Sequence, residues 1–170
     1  IVSQNLELDT IDKSLIFVEN PKLSFFKVVN SYFKFTLNEV SNGICPSAKI
    51  SSSSIIANNA RVGSNVFIED NVEIHSGVSI GPNSYIGQNS SIGENSIIHP
   101  NVSIYNNVKI GKNVIINSGC ILGASGFGII QKNKSLIQVP HIGNVIIKDD
   151  VVLGACCTVD RATMSSTIIE

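Results

Sequence analysis

The chain contains no tryptophan, one methionine and three histidines in 170 residues. His75, His99 and His141 are far apart in sequence, so a clustered histidine metal site, as in a metal-dependent carbonic anhydrase, finds too few ligands. Neither sign of charge is in excess. Twelve Lys and Arg against thirteen Asp and Glu give a net charge of −1, which argues against a nucleic-acid or anionic-membrane surface. No apolar run approaches the roughly 20 residues of a membrane-spanning helix. The four cysteines form no Cys-x-x-Cys motif, and the adjacency of Cys156 and Cys157 disfavours a disulfide between them. A reduced, cytoplasmic protein is expected on that ground. At this length a single domain with a small appendage is the default.

Isoleucine and asparagine are abundant, and their placement is regular. Steps of six from Ile44 meet Ile50, Ile56, Val62, Ile68, Ile74, Ile80, Ile86, Ile92, Ile98, Ile104, Ile110, Ile116 and Leu122, with no polar interruption. Two places before each of the later members sits a small or slim residue, from Ala48 and Ser54 to Val114 and Cys120. Three places after, from Asn59 to Gly119, sits Asn or Gly. This is a hexapeptide solenoid.

Six is not a multiple of the helical 3.6, so an α-helix would scatter the isoleucines around its circumference. In extended backbone, residues two apart share a face, which turns the branched residue and its small predecessor inward together. Asn and Gly tolerate positive φ at least steric cost, so each hexad reads as a short strand followed by a corner. Asn83, Asn89, Asn95 and Asn113 are therefore expected in the left-handed region. Repeats of this kind indicate a parallel β-helix whose turns stack at about 4.8 Å. The general preference for right-handed crossovers leaves its hand open.

Residues 1–40 do not repeat. Ser14–Glu19 reads as a strand ended by Asn20-Pro21, and Leu23, Phe26, Val29 and Phe33 place an amphipathic helix over Lys22–Phe33. This is the end of a small α/β domain. Residues 37–43 form a linker, and Cys45-Pro46-Ser47-Ala48 opens the β-helix of residues 44–170. The hexads stop at Leu122 and resume at Ile147, Leu153 and Val159, one residue out of phase. The segment 125–144 between them is expected to be extruded from the wall, and long ordered loops usually carry function. Met164 to Ser166 delays the next hexad in the same way. The chain opens on Ile1 rather than Met and closes on Ser166–Glu170, the start of another hexad, so a fragment truncated at both ends is expected.

Several motifs carry a resemblance: Glu19-Asn20-Pro21-Lys22-Leu23, Asn101–Tyr105, Gly119–Gly128 with its Gly126-Phe127-Gly128, Pro140-His141-Ile142-Gly143-Asn144-Val145, and Thr158-Val159-Asp160-Arg161-Ala162-Thr163. Taken together they resemble the UDP-3-O-acylglucosamine N-acyltransferases of lipid A biosynthesis, a family of hexapeptide-repeat enzymes. The resemblance implies a left-handed β-helix with three hexads per triangular turn, and a homotrimer with active sites between neighbouring solenoids. It also implies transfer of a 3-hydroxyacyl chain from the phosphopantetheine of acyl carrier protein to the 2-amino group of the UDP-sugar, with no further cofactor. That family's general base is a histidine in an Ala-His-Asn motif one turn beyond the Asp-Arg segment. The motif is not in this chain, so no catalytic residue is assigned and the chain alone is expected to be inactive.

The same resemblance marks Asn20 as a uridine contact, with Phe17 or Phe25 stacking on the base; without it, Asn20 is a turn residue before Pro21. Gly126, Phe127, Gly128, His141 and Gly143 are expected to line the acyl or pantetheine path, and the alternative for Phe127 is an apolar plug. His141 stands where the family usually has Gln. Asp160 and Arg161 are expected to pair with each other or with the next loop, as support for the site. His75 and His99 are expected to point outward. Cys120 and Cys157 fall in the small inward register as core fillers. Two other functions compete: the O-acyltransferase acting one stage earlier, and a structural β-helix without a ligand.

Overall fold

The computed structural model describes residues 1–3, 14–32 and 43–170. The chain divides into two units, Ile1–Leu37 and Asn38–Glu170. In the first, Val2–Ser3 pairs in parallel with Phe17–Val18. The strand expected over Ser14–Glu19 is thus only two residues long. The helix spans Pro21–Tyr32; Phe33 and residues 37–42 of the expected linker lie outside the described residues. Asn20 caps this helix. Its Oδ1 accepts from Leu23 N at 3.0 Å and its carbonyl accepts from Ser24 N at 3.0 Å, with Pro21 fixing φ at the first helical position. The helix buries none of its residues, and Leu23, Phe25, Phe26 and Val28 are about half exposed. The expected apolar stripe is therefore present in sequence but uncovered.

The second unit is a parallel β-helix of hexapeptide repeats. Up to Leu122, paired strands are eighteen residues apart, as in Lys49↔Phe67, Ile56↔Ile74, Val62↔Ile80 and Ile104↔Leu122. Three hexads therefore complete one turn. The strands fall into three sheets of six, five and six strands, one per face. Every member of the stepped series from Val62 to Leu122 is at most 4% exposed, and Ile80 and Ile92 are fully buried. Ile44, in the lowest turn, is 51% exposed and only bridges Val62. Beyond the extruded segment, Ile147 stacks on Ile110, Leu153 on Ile116 and Val159 on Leu122. The interior column thus continues across the interruption.

The corners follow from backbone chirality. Asn65, Asn71, Asn83, Asn89, Asn95, Asn101, Asn107 and Asn113 have φ between 55° and 62°, as expected, and Asp150 and Cys156 take the same conformation in the last turn. Asn59 does not, although it holds the register. In the lowest turn a side-chain oxygen replaces the rotated carbonyl: Ser47 Oγ, Ser53 Oγ and Asn59 Oδ1 each accept at 3.1 Å from the backbone N–H of Asn65, Asn71 and Gly77. One turn higher the carbonyls serve, as in Asn83 N→Ser64 O at 2.9 Å.

The buried serines of the small register do more than leave room. Ser90 Oγ donates to Tyr105 O at 2.9 Å and accepts from Val108 N at 3.1 Å, stitching its corner to the turn above. Ser84 and Ser96 repeat the pattern. Above Ala60 the equivalent groups bond each other instead, Val78 N→His75 O at 3.4 Å. Ser90→Ala is therefore expected to cost about 1 kcal/mol in chemical denaturation, because the corner can close on itself. A loss of several kcal/mol would mean that it cannot.

Candidate functional site

The strands of the repeat are mostly two residues long, but Ile121–Ser125 runs to five because a bulge is inserted at Gly123. Gly123 has φ 84°, and a Cβ there would lie 2.8 Å from Val108 Cγ2, so only glycine fits. Arg161 holds the bulge: Nε donates to Gly123 O at 2.6 Å, and Nη2 donates to Asn106 O at 3.0 Å and Asn106 Oδ1 at 2.7 Å. Of the expected partners, Asp160 or the next loop, Arg161 does not take Asp160 but makes this bridge between turns, since the guanidinium fork matches oxygens fixed by the backbone.

After the bulge the chain forms an antiparallel hairpin, Ile129–Lys132 with Ser135–Gln138. Its two-residue turn, Asn133-Lys134, has φ 49° and 64°, both positive as in a type I′ turn. All eight strand residues are exposed, including Ile130, Leu136 and Ile137. The hairpin base closes through Val139 N→Gly128 O at 2.8 Å. Phe127 is 91% exposed, which removes the reading of this side chain as a plug. A cavity of about 290 Å³ opens between Gly126, Phe127, Gly128, Ile129, Leu136 and Gln138.

His141 packs against the two glycines. A Cβ on Gly128 would be 3.0 Å from its Cε1, and one on Gly126 would be 3.2 Å from its Nε2. The ring Nδ1 lies 3.0 Å from Val139 O. Gly143, expected along the ligand path, is buried: its N–H donates to Ala162 O at 3.0 Å, and a Cβ would lie 2.2 Å from Ser165 O. Close backbone approach explains this glycine. In the first unit Phe17 is 52% and Phe25 55% exposed, Phe25 meeting Phe26 edge-on at 6.1 Å. His75 is about half exposed and 3.8 Å from Glu73.

Larger hollows lie elsewhere on the wall, and two of them carry acidic side chains. One, about 480 Å³, runs beside Lys109, Lys148 and Asp149. The other, about 350 Å³, adjoins Phe67, Glu69 and Asp70. In the second, the polar groups satisfy one another: Asp70 accepts from Ser51 and Ser53, and Glu69 accepts from Gln88 N at 3.2 Å. Burial, together with the hydrogen bond to Glu69, pushes the Tyr85 phenol above its ordinary range. Volume favours these hollows, but the hairpin is where the wall is interrupted. Sequence reasoning missed the bulge at Gly123 and the bridge to Asn106. Glycine also follows Val62, Ile80, Ile86, Ile92 and Ile110, where the strand does not bulge, so no local pattern marked the first.

Residues 59–92 and 89–124 match the family model described as bacterial transferase hexapeptide (six repeats). The chain is similar to proteins named UDP-3-O-acylglucosamine N-acyltransferase, in line with its motifs. That of Porphyromonas gingivalis is 49% identical over 53 residues, or 31% of this chain and 15% of the relative. That of Chlorobium chlorochromatii is 54% identical over 54 residues, again 31% and 15%. The matched stretch thus spans about 15% of the length of these curated relatives. Among solved structures, a hexapeptide transferase family protein from Anaplasma phagocytophilum is 22% identical over 71% of this chain and 70% of its own, with a TM-score of 0.44.

Proposed function

We propose that this chain is the solenoid part of an N-acyltransferase that moves a 3-hydroxyacyl group from acyl carrier protein to the 2-amino group of UDP-3-O-acylglucosamine, in lipid A biosynthesis. The observation that carries the reading is the 49–54% identity, over 53–54 residues, with proteins of that name. The hairpin supports it, because a ligand-free structural β-helix has no use for an interruption whose apolar side chains stay exposed. In this reading Phe127 forms a wall for the acyl or pantetheine chain, and the two flanking glycines keep the turn narrow. Phe17 and Phe25 offer exposed rings to uracil. Because the Oδ1 of Asn20 is committed to the helix, its contact with uridine runs through the amide NH₂. A homotrimer in the cytoplasm, with acyl carrier protein as donor and partner, belongs to the same proposal.

The reaction forms an amide bond and releases the carrier thiol, so the amine must shed a proton as it attacks the thioester. The test incubates the protein carrying this chain with 3-hydroxyacyl-carrier protein and UDP-3-O-acylglucosamine. A doubly acylated product whose new linkage resists mild alkali is the expected result. Acylation of a hydroxyl of UDP-N-acetylglucosamine, supplied in a parallel incubation, would favour the O-acyltransferase, and no product with either sugar would favour a structural role.

A further inference from the structure

His141 and Asp160 are nineteen positions apart in sequence, yet both reach the same point above Gly126. From where a Cβ on that glycine would stand, His141 Nε2 is 3.2 Å away and Asp160 Oδ2 is 3.5 Å away. The bulge at Gly123 creates this meeting, because it re-registers the strands so that Asp160 pairs with Ala124, two residues before Gly126. A carbonyl can only accept, so Nδ1 of His141 donates to Val139 O, and in that tautomer of the imidazole Nε2 is the acceptor. Neither Nε2 nor the Asp160 carboxylate has a hydrogen-bond or ion-pair partner among the described residues. The neighbouring cation, Arg161, is turned away to Asn106 and Gly123 O. Two acceptors, one negatively charged, therefore face one small space with no donor supplied by the described residues.

We propose that His141 Nε2 and the Asp160 carboxylate form a docking site for a protonated primary amine above Gly126. A hydroxyl has a single hydrogen and satisfies one of the two acceptors; an ammonium has three and a charge that complements the carboxylate. The amide N–H of a pantetheine arm likewise offers one hydrogen and no charge. The identity of the amine rests on the N-acyl-transfer reading, in which it is the acceptor sugar's 2-amino group, held beside Phe127. The site itself rests on the geometry alone. His141 and Asp160 are positioning residues here, and the amide-forming base is not among them.

The test follows the imidazole Cε1–H resonance of His141 in the chain by NMR while glucosamine, cationic near neutral pH, is added. N-acetylglucosamine, the same sugar without the charge, serves as control. A saturable shift with glucosamine and little with N-acetylglucosamine is expected. Asp160→Asn, an isosteric change on an exposed side chain, is expected to weaken glucosamine binding about tenfold or more, with the backbone amide spectrum preserved. Equal shifts from the two sugars would overturn the proposal on the unsubstituted chain, whatever the variant does. So would undiminished binding by a folded Asp160→Asn. Absence of an amide product in the transfer assay would defeat the N-acyltransferase reading but leave this binding result standing.

Discussion

Replacing Ile92 with alanine is expected to destabilise the solenoid by about 2–5 kcal/mol. The side chain is fully buried and lies between Ile74 and Ile110, each in register with it on the neighbouring turn. What sets the cost within that range is how far the surroundings can relax. Here they can relax little, because every wall of the interior is a backbone ladder bonded above and below, as in Ser91 N→Val108 O at 3.0 Å and Gly93 N→Ile110 O at 2.9 Å. The cavity persists, and the upper half of the range is expected. Urea denaturation checks this through the shift of the midpoint. A change below about 1 kcal/mol would place Ile92 outside a close-packed interior.

Gly143→Ala is expected to cost about 3 kcal/mol, near the top of the range for overpacking. The methyl group would stand 2.2 Å from Ser165 O and 2.6 Å from Ala162 O, both backbone atoms. To admit it, the strand returning from the hairpin must lift from residues 162–165, breaking Gly143 N→Ala162 O, Asn144 N→Ser165 O and Ile142 N→Thr163 O. Denaturation midpoints and amide exchange at Ile142–Asn144 measure the effect. If Gly143 instead served ligand approach, stability would be kept and only binding would fall.

The inward series was legible because one register satisfies a whole wall of the solenoid: a strand with its side chains inverted would expose Ile68 and bury Phe67, which is 44% exposed. The asparagine corners were legible because few residues accept positive φ. Asp150 and Cys156 were not, since in the last turn the corner conformation is imposed by the stacking below, through Asp150 N→Lys112 O and Cys156 N→Ser118 O, both 2.9 Å. The role of Ser90 was hidden for a related reason. Its partners lie fifteen and eighteen residues ahead and become neighbours only once the turn length is known. The extruded segment was read from the loss of phase, but its hairpin was masked by an Asn-Lys turn in place of Asn-Gly. The meeting of His141 with Asp160 depends on a bulge that no local pattern announces. The helix shows the reverse case: its apolar spacing was read correctly, yet spacing alone does not say what covers Leu23 and Phe26.

The most direct measurement compares Phe127→Ala with the unsubstituted protein carrying this chain, taking kcat/KM for the acyl-carrier substrate per folded molecule alongside the melting temperature. Phe127 is 91% exposed, so its loss removes almost no buried surface and the melting temperature should stay nearly unchanged. Truncating an aromatic anchor in a ligand path typically costs more than 1 kcal/mol, so kcat/KM is expected to fall about tenfold or more. Unchanged catalytic constants with a lowered melting temperature would contradict the account, and would make the Gly126-Phe127-Gly128 turn a structural element rather than part of a working site.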